Sequence, residues 1–173
     1  MMLKPGKLLL ATLLLIVGGA NAETAEVLQK TVTGSPVVKS INVLEFAPDG
    51  VLLIGDGAGS QILAVKTGDT TAVPQPKANI PGIAAKLAAS MGTTAKGVEI
   101  VDMAVNPASG RVYFAVRHQA DRKYAVLTLD GGGEIDEFSL KDVTYARLPL
   151  SAGDKAKVSA ITDVAWADDR IVA

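Results

Sequence analysis

The chain has 173 residues, with 17 Lys and Arg against 18 Asp and Glu, one His and no Cys, for a formal net charge of −1. Near-neutrality removes the cationic surface that would neutralise a phosphate backbone, so no nucleic-acid partner is expected. The absence of cysteine excludes disulfides, thiol nucleophiles, thiolate metal sites and covalent haem attachment, and leaves a hydrophobic core as the source of stability.

Lys4 and Lys7 lie in a short basic stretch before an apolar run, Leu8–Gly19, and Ala20-Asn21-Ala22 supplies the small-x-small pattern of a signal peptidase site. The run is too short to cross about 30 Å of hydrocarbon as a helix. Residues 1–22 therefore read as a signal peptide cleaved after Ala22. The absence of an Arg-Arg pair points to the general secretory route, and the product is expected to be secreted or periplasmic with no stable membrane span. A retained N-terminal anchor is the alternative.

Residues 23–40 form a polar lead-in, where Thr31–Thr33 or Val37–Val38 offers a stray edge strand. Val43–Gly68 then reads VLEFAPDGVLLIGDGAGSQILAVKTG, three short apolar runs broken by turns rich in Gly, Pro and Asp. Runs this short between such turns predict antiparallel strands at Ile41–Phe46, Val51–Gly55 and Gln61–Lys66, with Thr70–Val73 available as a fourth. Pro48 presets φ near −65° and Gly50 accepts a positive φ in the first turn. Val51–Gly55 is almost unbroken apolar sequence, the pattern of a strand covered on both faces.

From Pro74 to Gly97 the pattern changes. Ile80, Ile83, Leu87 and Met91 fall on one helical face, Pro81 suits a first turn and Gly92 the residue beyond the end. This predicts a short inserted amphipathic helix near 82–91 that covers the core. A second strand unit follows at 99–140, with strands at Ile100–Val105, Arg111–Val116, Tyr124–Leu129 and Glu134–Leu140. Residues 142–159 read as a polar connector, and Ala160–Trp166 opens a third unit that runs to Ala173.

In register, Leu44, Met103 and Val164 correspond, as do Phe46, Val105 and Trp166, and the turns APDG, NPASG and ADD align before the runs VLLI, RVYF and RIVA. Four-stranded sheets repeated along a chain are the signature of a β-propeller. The expected fold is all-β: a unit at 41–73, a helical insertion at 74–97, a unit at 99–140, a connector at 142–159 and the start of a third unit at 160–173. Propellers close with about four to eight such sheets, so the chain reads as an N-terminal portion of a parent of roughly 350–450 residues.

Phe46-Ala-Pro-Asp-Gly50 with Leu52, Leu53, Gly55, Asp56-Gly57, Ile62, Val65 and Thr67-Gly68 resembles a WD40-type blade, although the Gly-His and Trp-Asp pairs of that family are missing. Asp102–Phe114, DMAVNPASGRVYF, is similar to blades of SMP-30/gluconolactonase-like and NHL-type propellers. That second resemblance implies a divalent cation held by carboxylate and amide side chains of innermost strands, which makes Asp102 and Asp163 the metal candidates. The Asn that usually precedes the Asp is replaced by Val101 and Thr162. Reuse of the Asp in successive units also fits a structural role on backbone N–H groups.

No other constellation carries chemistry. Gly55-Asp-Gly57-Ala-Gly59 lacks the last glycine of a dinucleotide loop and precedes a strand rather than a helix. His118 is the single histidine and lies in the polar loop RHQADRK, where Arg117, Arg122 and Lys123 read as a solvated face with anion contact as the alternative. Asp49, Asp56 and Asp69 read as turn residues, and Ser90 and Ser109 lack a partner base. No catalytic residue and no cofactor other than that divalent cation is assigned. The leading expectation is a binding or scaffolding module for an unknown protein or small-molecule ligand. The alternative is a metal-dependent sugar-lactone hydrolase, and a quinone-dependent dehydrogenase has no residue support. Trp166 reads as core between sheets, with stacking on a sugar as its functional alternative.

Overall fold

A computed structural model describes residues 30–75, 79–151, 158–167 and 170–173. The leader read at 1–22 and the turn residues Asp168 and Asp169 lie outside them. Among the described residues the fold is all-β, with three open antiparallel sheets and one helix.

The central sheet contains β1 (Val32–Gly34), β2 (Val43–Ala47), β3 (Val51–Asp56), β4 (Gln61–Lys66) and a later strand, β9 (Val143–Pro149), in the order β1-β9-β4-β3-β2. A second sheet follows chain order through β5 (Val98–Val105), β6 (Val112–His118), β7 (Tyr124–Leu129) and β8 (Ile135–Glu137). β10 (Ala165–Ala167) and β11 (Arg170–Val172) form a hairpin. The helix α1 spans Ile83–Ser90.

Period-2 alternation explains how the layers stack. Leu52 and Ile54 on β3, with Leu63 and Val65 on β4, face the second sheet and meet Tyr113, Ala115 and Val126. Their alternates Val51, Leu53, Ile62 and Ala64 face the other way and meet Ile161 and Val164 beside the hairpin. The central sheet is thus buried on both faces, which is why every residue of β3 is buried. The outer face of the second sheet carries Val112, Phe114, Val116, Leu127 and Leu129, and α1 covers it with buried Leu87 and half-buried Ile83, flanked by Ile80 and Met91. The helical stripe is cover for the protein's own core.

Two expectations are corrected here. Thr70–Val73 is not a strand, and 142–159 is not merely a connector. β9 pairs with β4 over six positions, from Gln61↔Pro149 to Lys66↔Thr144, and takes the edge expected for Thr70–Val73. The cause lies downstream in sequence. Asp69 is held by side chains of the 106–113 segment, and Val73 N–H donates to Ser109 O at 2.8 Å, so the chain leaves β4 and hugs the β5–β6 turn. The second sheet is therefore inserted in the chain between β4 and β9, the fourth and fifth strands of the central one. The lead-in strand β1 extends that sheet by pairing with β9, Val32↔Tyr145.

Candidate functional site

The two metal candidates are placed differently, Asp102 on β5 and Asp163 just before β10. β5 carries an irregularity between Ile100 and Asp102, where Val101 has no partner on β6. Such a bulge re-aims the side chains around it. Asp102 consequently reaches the central sheet, and its Oδ2 accepts a hydrogen bond from Leu44 N–H at 2.7 Å. β2 is the edge of that sheet, and its next outward N–H, that of Phe46, donates to Glu45 Oε1 at 2.8 Å. Carboxylates thus satisfy the open edge of β2, one of the ways sheets protect exposed ladders. Asp163 is exposed. Among the described residues no group of three or more His, Asp or Glu stands together, and no chemical step is derived through a divalent cation.

The turn aspartates prove to be structural hubs. Asp56 is fully buried and accepts from Lys39 N–H, Ser40 N–H, Ser40 Oγ–H, Gly59 N–H and the Gln61 amide, all between 2.8 and 3.0 Å. Burial pushes its pKa up, but these donors outweigh burial and hold it below the ordinary carboxylate value. Asp69 accepts from Ser109 Oγ–H at 2.7 Å, Tyr113 O–H at 3.0 Å and the Asn106 amide at 3.2 Å, with Arg111 Nε at 3.5 Å. It ties the central sheet to the second one. Burial first, and then the Asp69 charge, push the Tyr113 hydroxyl well above its ordinary pKa.

The glycine-rich segment is the β3–β4 hairpin. A Cβ on Gly57 would stand 2.5 Å from both Ala160 Cα and Asn42 Oδ1, so glycine there permits close packing of the third unit on the turn. In the loop after β6, His118 Nδ1 and Lys123 Nζ both meet Asp121, at 2.8 and 2.9 Å, while Arg117 pairs with Glu99. Hydrogen bonds, that of Lys123 foremost, hold Asp121 well below the usual carboxylate range.

The arrangement that sequence reasoning missed is a groove of about 490 Å³ at the turn end of the sheets. It is lined by Phe46, Pro48 and Asp49 of the first unit, Pro107 and Ala108 of the second, and Trp166 of the third. Asp49 sits at φ 60° and Gly50 at φ 69°, which folds the first turn tightly beside it. Phe46 and Trp166, and likewise Pro48 and Pro107, are positions that the sequence reading set in register. The sequence alignment held that signal, but only the packing of the central sheet between its neighbours makes the three units converge.

No family model matches the chain, and neither the curated proteins nor the solved structures contain a match to it.

Proposed function

We propose that this protein is an exported binding module of the β-propeller type, whose ligand site is the turn-end groove. The observation behind this reading is the convergence of residues from all three proposed units, Phe46 and Pro48, Pro107, and Trp166, on one surface. Repeat architectures build binding surfaces this way, with each unit contributing one wall. The strand units, the turn chemistry and the bulged inner strand support the propeller reading, and Leu8–Gly19 with Ala20-Asn21-Ala22 supports export.

The lining fits a small neutral ring such as a pyranose. Trp166 and the two prolines offer apolar surface to its C–H face, and Asp49 offers acceptors to its hydroxyls. The sugar-lactone hydrolase reading has no comparable convergence behind it, because Asp102 is engaged by Leu44 N–H.

Trp166 is the single tryptophan, so its emission reports occupancy directly. Titration with soluble gluco- and chito-oligosaccharides should shift the emission and shield it from acrylamide, saturably. Asp49→Asn, which tolerates the left-handed turn, should weaken binding about tenfold at unchanged stability. Saccharide-independent emission across the series would remove the sugar class. Binding unaltered by Asp49→Asn and Trp166→Phe would remove the groove.

A further inference from the structure

A second cavity, of about 350 Å³, lies beside the lead-in, at the β3–β4 hairpin end of the central sheet. Its walls are Ser35–Val37 and Lys39 from the lead-in, Gly59, Gln61 and Leu63 from the β3–β4 hairpin, and Tyr145 and Arg147 from β9. Both cations lining it, Lys39 and Arg147, form no ion pair among the described residues, and no carboxylate lines it. The lining side chains thus carry two positive charges, while the buried Asp56 carboxylate behind the wall is taken up by its own five donors. Two hydroxyls join them. Tyr145 Oη has no hydrogen-bond partner among the described residues, and Ser35 Oγ accepts from Asp142 N–H at 3.2 Å, which leaves its own proton to donate.

The rest of the lining is apolar. Leu63 is fully buried at the floor, and Val37 is 76 % exposed at the mouth, the most exposed of the large hydrophobic residues described. The wall is also held in place before any ligand arrives. The Gln61 amide bonds both Val37 O, at 2.9 Å, and Asp56, while Lys39 N–H donates to Asp56 at 3.0 Å. Preorganisation of this kind lowers the ordering cost of binding.

We infer that this cavity binds a phosphate monoester with a compact apolar body. Two cations and two hydroxyl donors match the charge and oxygen count of a phosphate dianion better than those of a carboxylate, and an arginine fork suits phosphate geometry. Val37, Pro36 and Leu63 would shelter the apolar part from water. The site shares no lining residue with the turn-end groove, so it stands independently of the function proposed above.

The test uses the full chain and phenyl phosphate as probe, titrated by calorimetry, with inorganic phosphate as head alone and benzyl alcohol as body alone. Phenyl phosphate should bind at one saturable site, at least tenfold more tightly than either control, and weaken as salt rises. Arg147→Gln and Lys39→Gln, both at exposed positions, should each lower affinity about tenfold, and Tyr145→Phe severalfold, while Trp166→Phe leaves it unchanged. Four outcomes would overturn the inference: no saturable binding, equal affinity for inorganic phosphate, equal affinity for benzyl alcohol, or indifference to both cation substitutions. Loss of binding on Trp166→Phe would place the probe in the other groove and overturn it as well.

Discussion

Asp102 Oδ2 accepts the Leu44 N–H at 2.7 Å, so a carboxylate on the edge strand β5 of one sheet closes the open edge of β2 in the other. This is the position that the resemblance to SMP-30-like proteins marks for a metal. Here it joins two sheets.

Removing that acceptor leaves a backbone donor unpaired. Asp102→Ala should cost roughly 1–3 kcal/mol, read as a lower urea midpoint at an unchanged slope. Asp102→Asn retains an acceptor oxygen and should recover more than half of the loss. Equal midpoints for wild type and Asp102→Ala would show that water replaces the contact at no cost.

Asp56 predicts a pH dependence whose sign is determined. Its folded pKa lies below the ordinary 3.8, because five donors favour the charged form over the cost of burial. A depressed carboxylate contributes stability that is present above its unfolded pKa and lost as the pH falls through its folded pKa. Thermal midpoints of wild type should drop as the pH falls below about 4. Asp56→Asn should be less stable at neutral pH and flatter across that acid range. A variant curve parallel to wild type would assign the acid loss to other groups.

Asp69 and Tyr113 make a graded pair of variants. Tyr113→Phe removes one donor and should cost about 1 kcal/mol. Asp69→Ala removes the carboxylate that accepts from Ser109, Tyr113 and Asn106 together, so its loss should be at least twice as large in the same urea assay. Similar losses for the two would mean that Asp69 works through Tyr113 alone.

Gly57→Ala tests the seat of the third unit. The added carbon would meet Ala160 at 2.5 Å, against backbone that has no rotamer to yield, and overpacking of this kind costs about 1–3 kcal/mol. Trp166 packs against the same cluster, so its emission should move to the red as the segment lifts. Gly68→Ala is the control: its Cβ would meet nothing, and only its φ of +70° is strained. It should cost about 1 kcal/mol with emission unchanged. Unchanged emission in Gly57→Ala would mean that residues around Ala160 adapt without leaving the sheet.

Much of the fold was legible because its determinants are local. β4 and β7 fall where their apolar runs predicted, and α1 falls within the span set by Ile80, Ile83, Leu87 and Met91. β9 was missed although Val143, Tyr145 and Arg147 alternate with Thr144, Ala146 and Leu148, since polar flanks hid a strand that is buried only at Ala146. The turn-end groove was half legible: the equivalence of Phe46 and Trp166 could be aligned, but not their meeting.

What the sequence by itself determined is the list of strands and turns, since alternation, Pro48 at its preset φ and glycine at positive φ act within a few residues. Only the tertiary structure decided which strand completes which sheet. A strand edge accepts any partner with free N–H and C=O groups, and the choice between Thr70–Val73 and β9 was made at a distance, where the 106–113 segment holds Asp69 and Val73 away from β4. That non-local capture interposes the second sheet in chain order between β4 and β9, and Phe46, Pro48, Pro107 and Trp166 meet at one groove.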